Sequence, residues 1–236
     1  MARCPFAQWR PISGSCGSYV GGPFRIIHHT TEGDSAQGAF DAFRLHRSDP
    51  HFTVDEVHVF QHIDTGVAAR ALRNAVGGVE TNRLSAVQIE VVGSAGRPKS
   101  RPTLENVARL CRWLEHQHNI PRTWPAGLPK PPINGQDPGG HNRNPTIWVS
   151  HGGHYGHSQV PENTHWDPGY TEAEATFVLA YNPDAAGLQD PAIEELRESF
   201  PEHVEIRDED VAIPDHSDVG EDGPDQCDVP MPEQME

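Results

Sequence analysis

Apolar, β-branched segments that alternate with segments of helical periodicity are the feature that most constrains the fold of this chain. Residues 24–29 (FRIIHH) and 85–93 (SAVQIEVVG) predict two buried strands, each followed by a polar or glycine-containing turn. Residues 35–47 and 103–118 carry apolar side chains at helical spacing and predict two helices. Because such alternation is typical of α/β domains, we expect a single mixed, largely parallel central sheet flanked by helices.

Shorter patterns predict the remaining elements. We expect a strand over 56–63, a short helix over 68–75, a short strand over 146–150 (TIWVS) and a helix over 171–179, where the sequence TEAE supplies a capping box. Residues 119–145 are rich in Pro, Gly and Asn, which predicts a long irregular loop.

The acidic residues of the chain are concentrated at its C-terminal end. From Asp184 onward there are 18 acidic and 2 basic residues, so this segment accounts for the whole formal charge of −16 and residues 1–183 are neutral. We expect an N-terminal extension at 1–19, a domain at 20–183 and an acidic, largely disordered tail at 184–236. A neutral domain lacks the clustered Lys and Arg that phosphate contacts need, so we expect no nucleic-acid partner.

The four cysteines form no CxxC pair, which argues against a structural zinc knuckle. Cys4 and Cys16 bracket a short loop and could pair in an oxidising compartment, but free thiols are the favoured interpretation. The sequence has no run of about 18 apolar residues, and its first residues lack the apolar core of a signal peptide. We therefore expect neither a membrane partner nor a signal peptide.

One segment stands out among the 15 histidines, namely HSQVPENTHWDPG at residues 157–169. It places His157 and Asp167 ten residues apart and ends on a turn signal, so its two ends could fold back onto one metal ion. His28 lies near the C-terminal end of a predicted strand, where sites of α/β proteins usually lie. Each residue alone is more often structural, and a solvated glycine-rich loop over 151–157 remains an alternative.

Three segments together resemble a known family. RIIHHT, QIEVVG and GHSQVPENTHWDPG, in this order, are similar to motifs of the zinc-dependent N-acetylmuramoyl-L-alanine amidases and peptidoglycan-recognition proteins, over about residues 20–180. The resemblance implies an α/β amidase fold, bound Zn²⁺, and hydrolysis of the amide between N-acetylmuramic acid and L-alanine in peptidoglycan or a muropeptide. It also implies His28, His157 and Asp167 as metal ligands and Glu90 as the residue that activates water.

One position departs from the family pattern. His165 stands two residues before Asp167, where bacterial relatives typically have Lys and some recognition proteins have Thr. Because an imidazole N–H can donate to a developing oxyanion, we predict a catalytic role for His165. His29 and Asn82 are candidate substrate-binding residues, although residues 77–83 (GGVETNR) differ from the Trp-His loop of many relatives.

Two other classes of function remain open at this point. The first is a recognition protein that binds muropeptide without cutting it, and the second is a metal-stabilised protein whose acidic tail binds a basic partner. The presence of all three candidate ligands and of Glu90 favours an enzyme. We expect a monomer that is cytoplasmic or reaches the cell wall by lysis or by a route without a signal peptide.

Overall fold

A six-stranded sheet forms the centre of the computed structural model, which describes residues 2–183 and residue 227. Its strands are β1 (Gln8–Trp9), β2 (Arg25–Thr30), β3 (Phe52–Val54), β4 (Val59–Gln61), β5 (Ala86–Val91) and β6 (Gly153–Gly156). The spatial order is β1-β4-β3-β5-β2-β6. β3 and β4 pair antiparallel and the other neighbours pair parallel, which confirms the mixed, largely parallel sheet. Apart from residue 227, the predicted tail lies outside the described residues.

Within residues 2–183, four α-helices accompany the sheet, namely α1 (Ala36–His46), α2 (Arg101–His118), α3 (Pro145–Ser150) and α4 (Glu172–Ala180). The long helix α2 begins after Ser100, whose side chain accepts a hydrogen bond from the N–H of Thr103. Its apolar face packs into the main core together with β5 and α4. Among the described helices, none combines the length and the apolar character that crossing a bilayer requires.

Three segments differ from the sequence-based expectation. Residues 146–150 were expected as a strand but belong to α3, because the Asn144 side chain caps the N–H groups of Thr146 and Ile147 and Pro145 occupies the first turn. The glycine-rich segment before His157 contains β6, an edge strand paired with β2, rather than a solvated loop. The helix expected over 68–75 does not form. Capping hydrogen bonds and strand pairing determine the secondary structure of these segments more strongly than the intrinsic propensities of their side chains.

The pairing of β2 with β5 determines which side chains can meet at one site. His29 is in register with Glu90, and His28 is in register with Ile89. Successive side chains of a strand point to opposite faces of the sheet, whereas register partners in neighbouring strands share a face. His29 and Glu90 therefore lie on one face, and the expected combination of His28 with Glu90 is not possible.

The cysteine pairing also differs from expectation. Cys16 forms a disulfide with Cys227, with 5.1 Å between the two Cα atoms. Cys4 and Cys111 are buried and free. The prediction of free thiols is therefore wrong for Cys16 and Cys227, and the alternative pairing of Cys16 with Cys4 is wrong because Cys4 packs in the main core.

Candidate active site

Three buried side chains converge beyond the C-terminal end of β2. His29 Nδ1 lies 3.1 Å from His157 Nδ1, and His157 Nδ1 lies 3.1 Å from Asp167 Oδ1. Asp167 Oδ2 is 3.9 Å from His29 Nδ1. One donor atom from each residue lies within 4.8 Å of the others, so the arrangement suits a single metal ion.

The fold brings these residues together through two backbone features. β6 runs parallel to β2 and ends at Gly156, so His157 begins a 3₁₀ turn (His157–Gln159) directly beside the end of β2. Asp167 is held by its own hydrogen bonds. Its Oδ2 accepts from the N–H of Thr30 at 2.9 Å, and its carbonyl oxygen accepts from the N–H of Ser158 at 2.9 Å. The two ends of the loop therefore meet, as their spacing suggested.

The structure does not bring His28 into this cluster. The His28 ring lies on the opposite face of β2, with Nδ1 3.3 Å from the Tyr170 hydroxyl and Nε2 3.0 Å from His154 Nδ1. His29, which we expected to contact substrate, occupies the position that we had expected for His28. The physical reason is the alternation of side chains along a strand, which a shift of one residue reverses.

His28, His154 and Cys111 form a second buried group with donor atoms within 4.8 Å of one another. Both nitrogens of each imidazole in this group have a protein partner, because His154 Nε2 also lies 3.0 Å from Glu115 Oε1. Burial is the main cause that lowers the pKa of both imidazoles, and the Arg112 guanidinium contributes in the same direction. The imidazoles of the second group therefore have their hydrogen-bond partners without an ion.

The cluster of His29, His157 and Asp167 differs from this second group in its charge and in its hydrogen bonding. Asp167 Oδ1 is buried, accepts no hydrogen bond from the described backbone, and lies 3.1 Å from His157 Nδ1. A cation held between this oxygen and the imidazole nitrogen would compensate the burial of the carboxylate charge. Burial and the His157 ring lower the pKa of His29 well below its usual range. Burial alone would raise the pKa of Asp167, but His157 and His29 lower it. A neutral imidazole and an ionised carboxylate are the forms that bind metals.

Glu90 lies beside the cluster on the same face of the sheet. Its side chain is buried, and Oε1 is 3.8 Å from His29 Nδ1. Burial raises the pKa of the Glu90 carboxyl well above its usual range, and the negative charges of Asp167 and Glu32 raise it further. A carboxylate of raised pKa is a stronger base, so burial favours Glu90 as a proton acceptor.

His165 lies at the exposed side of the cluster. Its ring stacks on that of His157, with 4.7 Å between the ring centroids and 13° between the planes. The residue is exposed, whereas His157 is buried. His165 therefore lies beside His157 at the solvent-facing side of the cluster.

Asn82 lies in the interior of the protein. It is fully buried, its Oδ1 accepts from the N–H of Leu72 at 3.0 Å and from Gln88 Nε2 at 2.9 Å, and its Nδ2 donates to the carbonyl of Leu72. Its amide is thus occupied by protein groups. Asn82 therefore braces the interior, and its amide is not available for the substrate contact that we predicted.

Sequence reasoning missed Asn163, whose Oδ1 lies 2.9 Å from His157 Nε2. Asn163 stands within the loop between His157 and Asp167, so its nearness to both residues is visible in the sequence. Its contact with the backbone of Arg73, 90 residues away, is not visible there.

Comparison with known proteins identifies the family. A family model described as N-acetylmuramoyl-L-alanine amidase matches residues 23–170. No curated protein sequence matches the chain. Among solved structures, the hydrolase AmiA of Staphylococcus aureus is 18% identical, with 70% of this chain and 74% of that chain covered and a TM-score of 0.46. PlyL is 22% identical over 49% of this chain and 76% of that chain, with a TM-score of 0.40.

The amidase LysCS of Clostridium intestinale URNW is 15% identical over 51% of this chain and 80% of that chain, with a TM-score of 0.39. The match to the family model spans His29, Glu90, His157 and Asp167 and covers more than half of the sequence. The chain therefore belongs to the N-acetylmuramoyl-L-alanine amidase family, whose members hydrolyse the amide bond between N-acetylmuramic acid and L-alanine in peptidoglycan.

Proposed function

We propose that this amidase is zinc-dependent and that His29, His157 and Asp167 are its metal ligands. The convergence of their three buried donor atoms beside Glu90 is the observation that carries the proposal. Two imidazoles and one carboxylate are a donor set of catalytic zinc, which keeps a further coordination position for water or substrate. When bound, zinc polarises a carbonyl oxygen and lowers the pKa of water, and both effects assist amide hydrolysis.

Glu90 is the general base and then the general acid in this proposal. It accepts a proton from the water that attacks the amide carbonyl and returns that proton to the leaving amine of L-alanine. Its raised pKa supports both transfers, since a carboxyl with an ordinary pKa would return the proton poorly near neutral pH. The shared face of His29 and Glu90 puts the base beside the ligands.

His165 stabilises the negative charge that develops on the carbonyl oxygen. Its exposed imidazole is stacked on His157, so it borders the cluster without being part of it. A ring N–H that donates to the oxyanion would contribute more to the transition state than to the bound substrate, which is the requirement for catalysis.

The substrate in this proposal is peptidoglycan or a soluble muropeptide, and a single chain suffices. Ligands, base and oxyanion donor all come from the same domain, so no second subunit is needed to complete the site. The proposal includes no nucleic-acid or membrane partner, in keeping with the neutral charge of residues 1–183.

The test compares zinc content and muropeptide hydrolysis for the wild type, Asp167→Asn and the control Asp137→Asn. Asn at 167 keeps an acceptor for the Thr30 N–H but removes the ligand charge. Asp137 forms its ion pair with His141, outside the cluster. We expect one zinc per chain and release of peptides that begin with L-alanine, both lost in Asp167→Asn and retained in the control. Unchanged zinc and activity in Asp167→Asn would contradict the ligand set, and zinc binding without cleavage by the wild type would indicate a recognition protein.

A further inference from the structure

The side chain of Asn163 has one defined orientation in the loop that joins His157 to Asp167. It is buried, and its Nδ2 donates to the carbonyls of Arg73 at 3.1 Å and Pro161 at 2.9 Å. Its Oδ1 accepts from the N–H of Arg73 at 2.9 Å. Rotating the amide by 180° would oppose oxygen to two carbonyls and nitrogen to an N–H. The backbone partners therefore fix which amide atom is the oxygen.

The orientation of this amide determines the protonation of the His157 ring. Asn163 Oδ1 lies 2.9 Å from His157 Nε2, and an amide oxygen can only accept a hydrogen bond. In a neutral ring that donates to Asn163, the proton is therefore on Nε2, which leaves the lone pair on Nδ1. His157 Nδ1 is the atom that faces His29 Nδ1 and Asp167 Oδ1.

We propose that Asn163 is a positioning residue that holds His157 in the Nε2-protonated tautomer, with Nδ1 ready to bind the metal ion. This inference rests on the proposed ligand set. A metal-bound imidazole commonly donates its other N–H to a second protein group, which fixes the ring orientation and tautomer. Asn163 gives His157 such an acceptor and, by the geometry above, cannot act as a donor to it.

The same side chain connects the metal ligand to a distant segment. Both the N–H and the carbonyl of Arg73 bind Asn163, and the neighbouring Glu162 accepts from the N–H of Val79 at 2.9 Å. Residues 73–79 are therefore anchored to the loop at two points, of which Asn163 alone also contacts His157. Glu162 therefore provides a matched control. Removing its side chain should loosen residues 73–79 without changing the hydrogen bond between Asn163 and the His157 ring.

The experiment measures zinc affinity by competition with a chromophoric chelator for the wild type, Asn163→Leu, Asn163→Asp and Glu162→Ala. Leu has a similar size but no acceptor, so we expect about 10- to 100-fold weaker zinc binding. Asp keeps the acceptor for His157 and loses both donors, so we expect binding at least as tight as in the wild type. Glu162→Ala should bind like the wild type. Equal weakening by Leu and Asp would show that Asn163 only braces the loop, and wild-type affinity in Asn163→Leu would also overturn the proposal.

A second measurement does not depend on these variants folding. ¹⁵N NMR of the histidine rings in the metal-free wild type distinguishes the two neutral tautomers, and His157→Gln identifies the signals of His157. We expect a protonated Nε2 and an unprotonated Nδ1; a proton on Nδ1, which would donate to Asp167 Oδ1 at 3.1 Å, would overturn the inference. A wild type that binds no zinc but shows the expected tautomer would contradict the proposed function and leave the Asn163 contact established.

Discussion

His28 and His29 are adjacent in sequence, and their replacement should have opposite consequences. His28→Ala leaves the Tyr170 hydroxyl and His154 Nδ1 without their partner in the interior. An unsatisfied buried group costs about 1–3 kcal/mol, so we expect the free energy of unfolding of the metal-free protein to fall by about 2–6 kcal/mol. The cavity left by a fully buried ring adds to this loss. Zinc affinity should change little, because His28 faces away from the cluster.

His29→Ala should show the reverse pattern. His29 Nε2 is buried and has no hydrogen-bond partner among the described residues, so removing the ring relieves one unsatisfied group as it loses packing. We expect the metal-free protein to lose less than about 2 kcal/mol of stability. Zinc affinity should fall by more than the roughly 10- to 100-fold that loss of an outer hydrogen-bond partner causes, since a proposed ligand is gone.

Two assays on the same preparations separate these effects. Urea unfolding in excess chelator reports the stability of the metal-free protein, and chelator competition reports the zinc dissociation constant. The reasoning from strand alternation would be refuted if His28→Ala abolished zinc binding at unchanged stability while His29→Ala bound zinc normally. That outcome would mean that His28 faces the site in solution.

Three further predictions follow from the site and the core. Glu90→Gln should lower kcat by about 10²–10⁴ with zinc content unchanged, as checked by muropeptide hydrolysis and metal analysis. His165→Phe keeps a ring to stack on His157 but has no N–H, so kcat should fall by about 10²-fold with KM nearly unchanged; full activity would exclude the oxyanion role. Burial lowers the pKa of His51 and of His62 to about 4. Because unfolded histidine titrates near about 6.5, protons bind the unfolded state preferentially below that pH. The contribution of these two histidines to the free energy of unfolding should therefore be complete well above pH 6.5 and fall by about 3 kcal/mol between pH 7.5 and 5.5, as measured by urea titration.

The sequence predicts the sheet, the two longer helices and the loop from His157 to Asp167, but not which of two adjacent histidines faces that loop. The reason lies in β2 itself, all six residues of which are buried. A strand buried on both faces need not alternate apolar and polar residues, and RIIHHT does not, so its pattern carries no information about which side chains share a face. Only the register with β5, a long-range property, pairs His29 with Glu90.

The two asparagines illustrate the same limit. Asn82 and Asn163 both stand in polar segments, and nothing local distinguishes them. The role of Asn163 follows from its contact with the backbone of Arg73, 90 residues away. The role of Asn82 follows from Leu72 and Gln88, which the folded loop brings to its amide. By contrast α4 was predictable, because its capping box is formed by residues three positions apart.

The disulfide between Cys16 and Cys227 changes the covalent connectivity of the molecule as well as the number of its free thiols. With 211 positions between its ends, the bond closes nearly the whole polypeptide into a covalent ring. Residues 184–226 therefore lie within this covalent ring. A protease that cuts once anywhere within the ring leaves a single molecule, which separates into two pieces only after a reductant is added. The domain and the 15 acidic residues at 184–226 therefore remain one covalent unit after a single cut, for as long as the surroundings are oxidising.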